Sequence, residues 1–488
     1  MSVVPDLLHL KQIPANLQQS VETDLLETST FQEATENNRG FARFDLQKKG
    51  WLHSHSKLFL SIAVPGGGSV TTFPPNIGVA SVISRAVLKI GNQVLNEMDD
   101  WNNFQAIKNA QINNETQIAR EQYTSGACIA NEFIYRTDDG AGQTLQNPVD
   151  GRTTGMSNGK DYTLGVVGGA MANAEGTRLM PAVFAQMNPI GPLGSPQYAI
   201  DLSDLFPFLK THMLPLYMID QQLSIELHWS PLKDRVILSA ARGGGNDVYP
   251  IDRNQLKFCA DYVFYEDSDL MARYAEANPR IEFSFPDYRV AKQTATSVQL
   301  AAGIVANLGM ANRLCSRVLT IINCDQRRLR AAGNPHNGEE SILSVYSMYG
   351  PDPVLGDSPA TSYNIRYNDR FEFPSAITNK ARLFSLFTQS EGLPFVSRAQ
   401  YTGEGNGGMT VFDYQNIFGQ LSDLQNRFFM LGTKLTNGRV GVRGIELHLT
   451  QAGLSAAVDA GGGYVVRSYI EYARLAVLEN GLFSVFNA

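Results

Sequence analysis

His53 and His55 stand two apart in Trp51-Leu-His-Ser-His-Ser56. On a strand, residues i and i+2 share a face, so this pair could hold a metal ion with a third ligand. No carboxylate or cysteine lies beside them in the chain, and a polar strand face is the favoured reading. Glu226 with His228 and Glu446 with His448 have the same spacing. Their recurrence points to duplicated strands in a structural or interface role rather than to two active sites. The acid pairs Asp99-Asp100 and Glu339-Glu340 could work on a sugar only if the fold set two carboxyls across a cleft, and solvated loops or helix caps are favoured. Gly155-Met-Ser-Asn-Gly-Lys-Asp161 falls short of a phosphate loop in glycine spacing and has Asp161 where a magnesium-binding hydroxyl belongs. Gly453-Leu-Ser-Ala-Ala457 lacks the last glycine of a nucleophile elbow. Asp325-Gln-Arg-Arg-Leu-Arg330 could touch phosphates or lipid headgroups. A loop pairing with acids of a neighbouring subunit is favoured there. No catalytic, cofactor-binding or metal residue is assigned, and the chain is read as a building block rather than an enzyme.

The elements that would carry these residues are mostly strands. In Leu223-Ser-Ile-Glu-Leu-His-Trp229 the apolar residues take one face and Ser224, Glu226 and His228 the other, the pattern of a strand with one buried side. Similar runs cover 42–47, 57–64, 256–264, 317–322, 443–449 and 465–478. Helical signals are short. One spans 268–278, capped by Asp267 or Ser268 and stopped by Pro279.

Three matches recur in the same order along the two halves. Leu88-Lys-Ile-Gly-Asn-Gln-Val94 parallels Ile365-Arg-Tyr-Asn-Asp-Arg-Phe371, and both read as tight hairpins. A short helix is predicted after each, over 100–109 and 378–387. Ile225-Glu-Leu-His228 parallels Ile445-Glu-Leu-His448, and Ala260-Asp-Tyr-Val-Phe-Tyr-Glu266 parallels Ala473-Arg-Leu-Ala-Val-Leu-Glu479. The chain is therefore read as two copies of one β domain. The interval between hairpin and tetrapeptide is longer in the first copy, which places an insertion over about 123–197, rich in Gly and Asn loop chemistry. The expected organisation is an N-terminal arm (1–37), a first domain (38–266), a linker helix (267–280) and a second domain (281–488). The fold class is mainly β: two tandem eight-stranded antiparallel sandwiches, with short helices and long loops.

The 488-residue length allows about two to four domains. With 43% hydrophobic residues there is apolar surface for large cores, while 18% charged residues is a low share and hints at subunit contacts. A net charge of −7 argues against coating nucleic acid with the whole surface. Four cysteines without a Cys-x-x-Cys pair read as free thiols. Met1-Ser-Val-Val-Pro-Asp6 predicts no signal peptide, and the sequon Asn114-Glu-Thr116 is discounted accordingly.

Several segments resemble the double jelly-roll major capsid proteins, of the polinton-like virus and virophage type. Residues 44–60, with Trp51, His53 and His55, are similar to the first two strands of that family. The stretch Val87-Leu-Lys-Ile-Gly-Asn-Gln-Val94, followed by Asp99-Asp-Trp-Asn-Asn-Phe104, resembles its hairpin and helix. Asp201-Leu-Ser-Asp-Leu-Phe-Pro-Phe-Leu209, Leu214-Pro-Leu216 and Leu223 to Trp229 resemble the most recognisable stretch of the first barrel, and 469–481 resembles the closing strand of the second. The resemblance implies a homotrimer that forms a pseudo-hexameric capsomer, because a duplicated domain gives a near-sixfold block from threefold symmetry. Such capsomers tile an icosahedral shell around double-stranded DNA. The implied partners are neighbouring capsomers, penton and minor capsid proteins, and an internal membrane or the genome at the inner face. No cofactor and no small-molecule substrate is implied, and the location is the virion capsid, assembled inside the host cell. The insertion would form an outer tower or a trimer clasp, and the arm would reach a neighbour. The alternative from a different class is a tandem β-sandwich that binds or cleaves glycans, with an aromatic cleft and paired acids.

Overall fold

Alternation of apolar and polar residues builds four large antiparallel sheets in two barrels. The computed structural model describes residues 19–35, 38–62, 71–72, 77–110, 120–121, 124–125, 134–138, 143–146, 156–157, 160–161, 178–180, 197–231, 238–239, 250–265, 268–324, 361–391, 430–436, 439–454, 459 and 463–487. In the first barrel one sheet runs Tyr198–Asp201, Lys57–Leu60, Lys257–Tyr265, Trp51–Leu52, Leu214–Pro215, with Gln19–Leu26 along the other edge of Lys257–Tyr265. The facing sheet runs Thr30–Gln32, Gly40–Asp45, Leu223–Trp229, Ile83–Ile90, Gln93–Asp99. In the second barrel the order is Arg280–Ala295, Tyr464–Glu479, Cys315–Cys324, Met430–Lys434, with Leu482–Asn487 also on Tyr464–Glu479. Its facing sheet is Ile304–Gly309, Ile445–Gln451, Thr361–Tyr367, Arg370–Phe371.

Each barrel closes on a core shared by its two sheets. Phe44 and Phe258, from opposite sheets of the first barrel, meet with ring centroids 5.8 Å apart, and both are buried. Burying such a side chain contributes about 1.5–3 kcal/mol. In the second barrel the Tyr363 and Thr433 hydroxyls bond across the sheets at 2.7 Å, so the buried phenol has a partner. Cys259 and Cys315 carry free thiols, and burial pushes the Cys315 thiol up to about 11. Between the barrels lies the helix Ser268–Ala277.

The duplication is real at the level of strands and drifts at the level of residues. Both hairpins form. Ile90 faces Gln93 across a turn with Gly91 in the left-handed region. Tyr367 faces Arg370 across Asn368 and Asp369, both left-handed, as a type I′ turn needs. The two tetrapeptides occupy equivalent strands, yet Leu223 lies opposite Ile90 whereas Ile445 lies opposite Tyr367. Counted from the hairpin, they are out of step by two residues. A two-residue slip leaves every side chain on its own face, so the motif survives the slip. The third match falls on the strands Lys257–Tyr265 and Tyr464–Glu479, each paired along one edge with the first strand of its sheet.

Two sequence expectations are corrected here. The arm was placed at 1–37, but Gln19–Leu26 pairs residue for residue with Lys257–Tyr265, and Thr30–Gln32 pairs with Gly40–Asp45. The edge of a sheet leaves one row of N–H and C=O groups unpaired, and the chain before the first barrel supplies it with partners. The second is the strand face proposed for His53 and His55, which instead sit in the turn between Trp51–Leu52 and Lys57–Leu60. Most of 123–197 lies outside the described residues, apart from short antiparallel pairs such as Ile134–Asp138 with Gln143–Gln146.

Candidate assembly interface

The described residues with the most elaborate polar chemistry lie in the seam between the barrels. The first barrel presents the strand Gln93–Asp99, the helix Trp101–Ala110 and the short helix Phe208–Thr211. The second presents the paired strands Arg280–Ala295 and Tyr464–Glu479, with Phe285, Asp287, Tyr472 and Arg474 on one face and Tyr288, Lys292, Arg467 and Tyr469 on the other. Aromatic rings make the apolar part. Phe208 meets Phe285 edge-on at 4.8 Å, and Phe104 meets Tyr288 at 4.6 Å and Tyr469 at 5.3 Å. Pairs in this range contribute about 0.5–1.5 kcal/mol beyond their buried area. At the far end, the amide of Asp220 donates to Gly481 and the amide of Phe483 donates to the Gln221 side chain.

Two buried carboxylates anchor the polar part. Asp100 sits just before the helix in a left-handed conformation. Its Oδ2 accepts from Arg467 Nε at 2.8 Å and from the Tyr469 hydroxyl at 3.0 Å, and Lys292 Nζ lies 3.0 Å from Oδ1. Burial disfavours its charge, and Arg467 and Lys292 outweigh that, so the Asp100 carboxyl is held below its usual range. Asp287 accepts from Arg474 at 2.8 Å, from Asn96 at 2.6 Å, from the Tyr472 hydroxyl at 3.2 Å and from the Tyr288 amide at 2.9 Å. Here burial prevails over Arg474, and the Asp287 carboxyl is pushed up. Arg474 also donates to the carbonyls of Leu95 at 3.1 Å and Val94 at 3.3 Å in the first barrel. Asp99-Asp100, read from sequence as a solvated loop or helix cap, is thus a half-exposed acid beside one buried in ion pairs.

The other candidates fall elsewhere. The His53 and His55 rings are 5.1 Å apart, and His55 Nδ1 is 3.6 Å from Asp201. Lys57, at 2.9 Å, and Arg120 already pair with that carboxylate. Among the described residues no group of three or more His, Cys, Asp or Glu could hold a metal ion. Glu226 pairs with Lys89 at 2.5 Å and Glu446 with Arg366 at 3.3 Å. Lys89 and Arg366 hold the same place in the two hairpins, so each copy keeps one acid–base pair between the same two strands, the usual currency of sheet faces. His228 leans on Phe41 at 5.4 Å and His448 on Phe371 at 5.0 Å. The segments 325–330, 339–340 and 114–116, together with 155, 158–159 and 455–457, lie outside the described residues. No helix among the described residues is long and apolar enough to cross a membrane. The seam residues Asp287, Arg467 and Arg474 carried no local signal in the sequence. An unusual run of aromatic and charged residues on the strands 280–295 and 464–479 is the only trace of them.

No protein-family model matches the chain, and no curated protein matches it in sequence. Solved structures do match along nearly its whole length. The PBCV-1 protein VP54, fitted into a reconstruction of the virophage Sputnik, has a TM-score of 0.54 at 12% identity over 97% of each chain. The Faustovirus major capsid protein has a TM-score of 0.51 at 8% identity over 98% of this chain and 93% of its own. The Sputnik virophage structure has a TM-score of 0.51 at 9% identity over 100% of this chain and 93% of its own. With two tandem antiparallel barrels held by one seam, the chain has the fold of the double jelly-roll capsid proteins.

Proposed function

We propose that this chain is a major capsid protein, a structural subunit whose trimers form pseudo-hexameric capsomers of an icosahedral shell around double-stranded DNA. The observation that carries the reading is that one polypeptide holds two barrels of the same topology, locked by a seam with a buried charged centre. A locked pair of like wedges is what a near-sixfold tile made from three chains requires. The likeness to capsid proteins over nearly the whole chain supports the same reading. The barrels extend to about 266 and from about 281, with the helix near 267–280 as linker. Neighbouring capsomers, penton and minor capsid proteins are the partners, with a membrane or the genome at the inner face. On this reading the chain has no enzymatic activity. The glycan alternative gains nothing from Asp99-Asp100, whose carboxylates are engaged by Arg39, Lys292 and Arg467.

The test is the mass of the purified protein in solution by light scattering. Three chains of 53.6 kDa give a particle of about 160 kDa, with hexagonal outline in negative stain. A monomer at all concentrations up to tens of micromolar would falsify the reading.

A further inference from the structure

One histidine closes an end of the seam and can change its charge in mild acid. His212 ends the short helix Phe208–Thr211 of the first barrel, its amide donating to the Phe208 carbonyl at 3.1 Å. Its ring reaches the second barrel. Nε2 lies 2.8 Å from the carbonyl oxygen of Ser284, on the edge strand Arg280–Ala295. A carbonyl can only accept, so Nε2 carries the ring proton and the neutral imidazole leaves Nδ1 bare. Nδ1 is buried and has no hydrogen-bond partner among the described residues. The ring packs against Phe208 at 5.3 Å and edge-on against Phe283 at 5.5 Å, and Phe283 in turn stacks on Phe483 at 5.9 Å.

The charges on the surrounding elements are engaged elsewhere. Lys210, on the same helix, lies 3.9 Å from Asp204. Arg280 and Glu282 pair at 2.6 Å, on the face of their strand opposite Phe283, and Glu479 stands opposite Arg280. Further along that strand Asp287 closes on Arg474 at 2.8 Å. Asp220 lies against Gly481, and Leu482–Asn487 carries no charged residue. Only burial and the Ser284 carbonyl act on the His212 ring, and burial holds it below its ordinary value.

We propose that His212 is an acid-operated latch: neutral, it ties the Phe208 end of the first barrel to the strand Arg280–Ala295, and on protonation it lets that end of the seam open while both barrels stay folded. Protonation places a charge on the ring and a second N–H at Nδ1, beside phenylalanines and away from any acceptor, and a buried donor without a partner is costly. Opening hands both nitrogens to water. The open seam therefore binds the proton more tightly than the closed one. Below about pH 6.5 the opening equilibrium should gain up to about tenfold per pH unit, and it should level off below the closed-state value. Asp287, whose carboxyl is pushed up, responds to acid with the opposite sign and cannot produce this effect. The latch needs only the two-barrel fold and stands apart from the capsomer reading. In a capsomer it would let mild acid loosen the tile from within each chain.

Hydrogen exchange of the full chain at about pH 7 and about pH 5, each corrected for the intrinsic rate, tests it. In the parent, protection over 280–287 and 482–487 should fall roughly tenfold or more on acidification, while the strand Cys315–Cys324 inside the second barrel keeps its own. His212→Gln retains a donor for the Ser284 carbonyl but does not titrate, so its protection over the same two segments should be equal at both pH values. A parent that loses no protection there, or a variant that loses as much as the parent, overturns the latch. Should the variant fail to fold, the parent decides alone: loss confined to the two seam segments supports the latch, and loss spread equally over Cys315–Cys324 overturns it. None of these outcomes bears on the trimer mass, which tests the capsomer reading separately.

Discussion

Asp100 and Asp287 lie in the same seam, both buried and both bonded to an arginine at 2.8 Å, yet their carboxyls are displaced in opposite directions. The difference is in who supplies the cations. Asp100 belongs to the first barrel and meets two cations of the second, Arg467 and Lys292. Asp287 and its single cation, Arg474, both belong to the second barrel, and the first offers them only the Asn96 amide and two carbonyls. A buried ion pair recovers its desolvation cost only with enough opposite charge and hydrogen bonds. Asp100 therefore ties one barrel to the other with charge, whereas Asp287 orients Arg474 and leaves neutral dipoles to span the gap.

The largest expected effect follows from that division. Asp100→Asn leaves the largely buried Arg467 and the part-exposed Lys292 against a neutral amide, and removal of one partner of a buried pair costs about 3–5 kcal/mol. Urea titration should show the loss in the midpoint, with the barrels separating before they unfold. A loss under about 1 kcal/mol would show that the seam's charge is dispensable. Asp287→Asn should cost less, about 1–2 kcal/mol, because Arg474 keeps its two carbonyl acceptors and the amide can still accept from Tyr472.

Titration sharpens the same contrast. A depressed carboxyl such as Asp100 contributes stability that is present above its unfolded value of about 3.9 and is lost as pH falls through the lower folded value. The parent's advantage over Asp100→Asn should therefore be level from pH 7 to about 4 and shrink below it. A raised carboxyl such as Asp287 has the opposite sign. Its ionisation opposes folding at neutral pH, and the cost is relieved as pH falls through the folded value. The parent should therefore gain on Asp287→Asn between pH 7 and about 4 and hold level below it. Denaturation midpoints at six or so pH values separate the two, and parallel curves would contradict the assignment.

The parts of this architecture that could be read from the chain were those encoded locally. The hairpins at 88–94 and 365–371 declare themselves because Gly-Asn and Asn-Asp are among the few dipeptides that tolerate left-handed turns. The tetrapeptide repeat marks the right pair of strands but misplaces them by two residues, since period-two alternation cannot tell one such register from the next. Gln19–Leu26 passed for an arm. Its Val21 and Leu25 face outward and are uncovered in the single chain, so it lacks the buried alternate residues that announce a strand. The seam was illegible for a plainer reason. Asp100 and Arg467 are 367 residues apart and Asp287 and Arg474 are 187 apart, and no property of either acid names its partner. The sequence showed acids at 99 and 100, and only the packing of the barrels decides which of them is buried.

That decision supplies the smallest expected effect. Asp99 adjoins Asp100, but its side chain is 41% exposed and lies 3.6 Å from Arg39 and 3.9 Å from Lys292. Exposed pairs at such distances contribute about 0–1 kcal/mol, and Lys292 is engaged more closely by Asp100. Asp99→Asn should therefore shift the urea midpoint by under about 0.5 kcal/mol. Raised salt should leave the Asp100 effect largely intact, since buried pairs are little screened, and should erase what remains of the Asp99 effect. If the two neighbours proved equally costly, the seam would depend on the local density of negative charge at the start of the helix, and the two cations that close on Asp100 from the second barrel would have no special role.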